Sequence, residues 1–173
     1  MPRTTLRLAT TDDLELLVRH RRSMWEAISH HPVRTLDLAD SVYRRWARVR
    51  MRSGRFAGFI IEVGGVPAAS GCVWLMPVQP RPGRRGTTAA YLLSMFTEPN
   101  QRGKGHAGRI VRAAMRWARS RGVAVMSLHA SDLGESVYRR LGFERTREMR
   151  RILVSPSRVR TRPSRKRDDR GAG

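Results

Sequence analysis

The chain has 173 residues, is 40% hydrophobic and holds four tryptophans, which suits one domain with a real core and excludes wholesale disorder. Its formal charge is +21, carried by arginine everywhere except Lys104 and Lys166, so nucleotides, nucleic acid and other polyanions are the partners that the surface favours. The lone cysteine, Cys72, excludes an internal disulfide and a cysteine metal cluster, and no metal site is expected.

Leu6-Arg7-Leu8-Ala9 alternates and reads as a first strand. Thr10-Thr11-Asp12-Asp13 is an N-cap cluster with acids in the first turn. Leu14, Leu17, Val18, Arg21, Trp25 and Ile28 follow at helical spacing, and His30-His31-Pro32 ends that helix. A second helix is predicted from Leu38 to Met51, closed by Ser53-Gly54. Phe56 to Val63 and Val66 to Leu75 read as a hairpin about Gly64-Gly65. Pro77 to Gly86 is a loop rich in proline, glycine and arginine, and Thr87 to Phe96 is a mostly apolar, central strand.

Gln101-Arg102-Gly103-Lys104-Gly105-His106-Ala107 comes next and opens an amphipathic helix from Gly108 to Arg121. A strand, a glycine turn and a helix N-terminus make an anion site, because glycines let backbone N–H groups approach and the helix dipole adds positive charge. The turn lacks the Gly-Lys-Ser/Thr triplet of a Walker loop. Gly103, Gly105 and Gly108 match the Gly-x-Gly-x-x-Gly spacing, but the turn lies past the middle of the chain with no upstream βαβ start, so it is not read as the dinucleotide fingerprint. Val123 to Leu128 reads as a further strand, Gly134 to Leu141 as a short helix, and Phe143 to Val154 as one or two last strands. From Ser155 onward no apolar periodicity remains; the stretch from Arg158 holds seven basic and two acidic residues. The division is thus a domain over 1–154 and a basic, disordered tail over 155–173. No run approaches the roughly 20 apolar residues of a membrane span. The opening residues lack the apolar core of a signal peptide, so a cytoplasmic location is expected.

The spacing Arg102-Gly103-Lys104-Gly105-His106-Ala107 resembles the pyrophosphate loop, Arg/Gln-x-x-Gly-x-Gly/Ala, of the GNAT superfamily of N-acetyltransferases. Leu92 to Pro99 resembles the strand and turn before that loop. Val137-Tyr138-Arg139-Arg140-Leu141-Gly142-Phe143-Glu144 resembles the family's "YekLGFe" segment, and Leu6 to Leu14 its first strand and helix start. The likeness runs from about Thr4 to Leu153. It implies an α/β GNAT fold, a mixed central sheet of about six or seven strands flanked by about four helices, in the order β-α-α-β-β-β-α-β-α-β-β.

The resemblance implies acetyl-coenzyme A as cosubstrate, bound by the backbone of Arg102, Gly103, Lys104, Gly105, His106 and Ala107. Met95, Phe96 and Thr97 would meet the pantetheine arm and acetyl carbonyl. Tyr138 would protonate the departing thiolate. Many members carry an asparagine seven residues before that tyrosine, where this chain has Ser131. For a base that deprotonates the acceptor amine, Glu26 and Glu98 are the candidates; His106 and His129 are weaker ones, read as a residue beside the phosphates and as a core histidine. Water could also carry that proton. The activity implied is acetyl transfer to a primary amine by direct attack in a ternary complex. The alternative is a nucleic-acid- or ribosome-associated binding protein on the same scaffold, which the net charge and tail favour. The acceptor amine is not readable, although arginine in the first two helices and the Pro77–Gly86 loop suits an acidic or neutral amine over a polycation. Polyanion contact through the basic surface and a homodimer are both compatible with the sequence.

Overall fold

The computed structural model describes residues 2–83 and 86–153. Within them the elements are β1 (Thr4–Leu8), α1 (Leu14–Ile28), α2 (Val33–Arg52), β2 (Phe56–Val63), β3 (Val66–Pro77), β4 (Thr88–Thr97), α3 (His106–Arg119), β5 (Met126–Ser127) and α4 (Asp132–Arg139). The strands form one sheet in the order β1-β2-β3-β4-β5. The first three pairings are antiparallel and β4–β5 is parallel.

Local chemistry accounts for the entry to α1. The Asp12 N–H donates to Thr10 Oγ1 at 3.3 Å and the Thr10 N–H donates to Asp13 Oδ2 at 2.8 Å, a reciprocal cap. Arg7 on β1 then grips both Asp13 oxygens at 2.8 Å, which holds that carboxyl down near 2. Pro32 stands just ahead of α2, so that helix starts five residues earlier than its apolar stripe predicts.

Period-two alternation along β2 divides the interior into two layers. Ala57, Phe59 and Ile61 face one side, where they pack with Ile110, Val111 and Ala114 of α3. Phe56 and Ile60 face the other, where they meet Leu14, Leu17, Tyr43 and Ala47 of α1 and α2. Gly58 sits where a Cβ would lie 2.8 Å from the Leu17 side chain, so glycine sets how closely α1 approaches the sheet.

Three details of the sheet differ from expectation. The sheet has five strands among the described residues, not six or seven. Residues 143–152, read as final strands, form none, and Met149, Ile152 and Leu153 are exposed. Alternating apolar residues satisfy a strand pattern, but without a ladder partner the pattern does not make a strand. β5 is likewise only two residues long instead of spanning Val123 to Leu128. The expected tail over 155–173 lies outside the described residues.

Candidate active site

The sheet parts between β4 and its edge strand β5. β5 pairs with β4 only at Ala90 and Tyr91, whereas β4 runs on to Thr97. Between Leu93, opposite Cys72, and Phe96, opposite Ser70, two residues of β4 face only Gly71 of β3. This is a bulge. Ser94 within it has φ 53°, the one positive φ among described non-glycine residues, a cost typical of functional sites. Gly71 makes the bulge possible: a Cβ there would lie 2.2 Å from Met95 Sδ and 2.8 Å from Ile110 Cγ2. Met95 therefore packs down over Gly71 onto the α3 layer, and Phe96 lies on the other side with its ring 5.0 Å from His20.

The glycine turn stands beside the end of β4. Gly103 and Gly105 have φ of 76° and 77°, and Gly105 is the N-cap of α3. A Cβ at either would meet nothing within 4 Å, so the turn faces open space. Backbone conformation, not crowding, demands glycine here. The first helical bond closes from the Arg109 N–H to the Gly105 carbonyl at 3.2 Å; the amides of the first turn before it have no helical acceptor. Arg102 Nε donates to the Thr97 carbonyl at 3.2 Å and ties turn to strand. Lys104 Nζ donates to Gln101 Oε1 at 3.0 Å. Ala107 is half-buried in the first turn of α3. His106 turns inward: it is 5% exposed, neither ring nitrogen has a hydrogen-bond partner, and burial, then Arg109 and Lys104, lower its pKa. Its ring is thus a neutral core group beneath the turn.

Ser131, the N-cap of α4, and Tyr138, in its last turn, are brought together across Gly134. A Cβ on Gly134 would lie 3.1 Å from Tyr138 Cε2 and 3.3 Å from Ser131 Oγ. The Tyr138 ring meets Phe143 edge-on at 5.9 Å. Burial raises its pKa, which keeps the phenol protonated at neutral pH.

A cavity of about 690 Å³ opens between α1, α2 and the sheet. Its wall is Tyr43, Trp46, Trp74, Tyr91, Met76 and Leu93, with Arg21 and His129 as its charged or titratable members. Tyr91 Oη and His129 Nδ1 are hydrogen-bonded. His129 is exposed, not a core histidine. Neither carboxylate candidate lines this cavity. Glu26 is half-exposed on α1 and paired with Arg22 at 3.2 Å. Glu98 lines a separate cavity of about 290 Å³ with Arg19 and Gln101.

Sequence reasoning missed His20. It is 1% exposed, its Nδ1 is 2.9 Å from Ser70 Oγ, and its Nε2 is 3.4 Å from Glu98 Oε1. The Nε2 contact is not a hydrogen bond. Desolvation outweighs it, and the imidazole is pushed down to about 4, so it is neutral. The available signal was position: His20 lies three residues after Leu17, on the buried stripe of α1.

The Acetyltransferase (GNAT) family model matches residues 17–143. No curated protein matches the sequence significantly. Among solved structures, a GCN5-related N-acetyltransferase from Ralstonia eutropha is 28% identical, with a TM-score of 0.81 over 87% of this chain and 99% of that one. A predicted acetyltransferase from Clostridium acetobutylicum, solved with acetyl-CoA, is 25% identical, with a TM-score of 0.80 over 87% and 96%. An aminoglycoside N-acetyltransferase in complex with CoA, 21% identical over 91% and 97% with a TM-score of 0.66, shares the fold. With a family model matched over most of its length, and with the bulge, the glycine turn and the parted strands in place, the chain belongs to the acetyltransferase (GNAT) family.

Proposed function

We propose that this acetyl-CoA-dependent acetyltransferase moves the acetyl group to a primary amine by direct attack in a ternary complex. The observation that carries this reading is the parting of β4 from β5 beside the open first turn of α3. An extended thioester arm can lie along the unpaired end of β4 while its phosphates meet the turn amides. In that pose a backbone N–H near Met95 to Thr97 stabilises the negative charge that grows on the acetyl oxygen. The amine nitrogen bonds to the acetyl carbon, the carbon–sulfur bond breaks, and Tyr138 gives its proton to the leaving thiolate. The amine's proton goes to water or to a base. His129, which lines the larger cavity with Tyr91, is better placed for that role than Glu26 or Glu98.

Cys72 supports direct attack over an acetyl-enzyme. It is buried, and desolvation pushes its thiol up to about 12, so it holds no nucleophilic thiolate. Initial rates with both substrates varied test this order. Intersecting double-reciprocal lines are expected, and parallel lines would refute direct transfer. The net charge of +21 supports a second reading, nucleic-acid binding. A steep fall of RNA affinity with salt, with no melting shift in millimolar acetyl-CoA, would favour it.

A further inference from the structure

The larger cavity is walled by aromatic rings that hold one another in place. Trp46 meets Trp74 edge-on at 5.3 Å and Phe56 edge-on at 5.3 Å, and stacks on Tyr43 at 6.0 Å. Arg50 covers Trp46 with its guanidinium 4.4 Å from the ring. Such a wall is set before any ligand arrives. Leu38 and Val42 of α2 form the lip and are 62% and 63% exposed. A volume near 690 Å³ is ample for a ring and a short chain.

The charge on this wall has one sign. No lining residue carries a carboxylate. Arg21 contributes a guanidinium 4.6 Å over the Tyr43 ring and forms a long ion pair, 3.8 Å, with the buried Asp40, which does not line the cavity. Asp40 and Asp37 are also engaged by Arg22 at 3.0 and 2.7 Å. A second ammonium entering here would shed water beside a cation and find no acid to receive it. A single amine fares differently. It can approach over the aromatic faces, and the Arg21 charge favours its neutral, nucleophilic form.

We infer that this cavity, on the acetyl-transfer reading above, is the acceptor site and takes an arylalkylamine, a primary amine with an aromatic body and no second positive charge. His129 and Tyr91 stand at the sheet end of the same wall, where the amine meets the acetyl group. The exposed lip residues admit substitution without disturbing the core.

Thiol release from acetyl-CoA by the full chain tests this, with phenethylamine and tryptamine set against kanamycin and spermidine. The arylalkylamines should exceed the polycations in kcat/KM by about 100-fold, and should quench tryptophan fluorescence from Trp46 and Trp74. Val42→Arg should raise their KM about 10-fold with acetyl-CoA affinity unchanged. Preference for a polycation overturns the inference and leaves acetyl transfer standing. So does acetyl-CoA binding without turnover or quenching by either arylalkylamine, or a KM that Val42→Arg does not move. Failure to bind acetyl-CoA at all would overturn the underlying reading and the inference with it.

Discussion

Tyr138 is packed against Phe143 and lies near Ser131 across Gly134 of α4, so its hydroxyl can be removed with little disturbance. Tyr138→Phe should lower kcat on the order of 100-fold with acetyl-CoA affinity unchanged; full activity would make Tyr138 a core residue only. His129→Gln should lower turnover by a similar factor without weakening acetyl-CoA binding, and an unaltered rate would leave the proton to water. These residues were unequally legible. Gly103 and Gly105 announce themselves, because no other residue type takes φ near +77° so readily. Tyr138 was found through the Leu141-Gly142-Phe143 segment after it. The Tyr91–His129 pair was not, since its partners lie 38 positions apart and only the parallel β4–β5 register joins them.

At the scale of elements, α1 is fastened to the sheet by a buried polar contact, His20 on Ser70, beside the bulged strand. Burial holds the imidazole near 4 instead of its ordinary 6.5. The unfolded chain therefore takes up a proton that the folded chain refuses. Stability is complete above about pH 6.5 and falls as pH drops from 6.5 toward 4. The melting temperature should follow that course, and His20→Asn should flatten it; an unchanged slope would show that another group carries it. Gly71→Ala should cost about 1–3 kcal/mol, because its Cβ must displace Met95 from the α3 layer. A melting temperature equal to that of the wild type would contradict this account of the bulge. Periodicity revealed α1 and α3 well, since each buries one clear stripe. It misled at Phe143 to Leu153, because alternation records which residues are apolar and not whether a neighbouring strand exists to pair with them.

At the scale of the whole molecule, two apolar layers clasp a sheet whose β4 runs on past β5, and the glycine turn before α3 follows that strand. No helix among the described residues is long and apolar enough to cross a membrane. The proposed donor side was readable because phosphate binding needs glycines at fixed spacing. The cavity proposed for the acceptor was hidden, because Tyr43, Trp46, Trp74 and Tyr91 come from three separate elements and each reads alone as core. The arginine-rich composition gave no sign of that cavity's aromatic wall. The central claim is that the turn before α3 holds acetyl-coenzyme A, and calorimetric titration of wild type and Gly105→Glu with acetyl-CoA tests it most directly. A side chain with negative charge at φ 77° would meet the phosphates. Saturable binding by the wild type and a loss of about 100-fold or more in the folded variant are predicted; equal affinity in the two proteins would contradict the assignment.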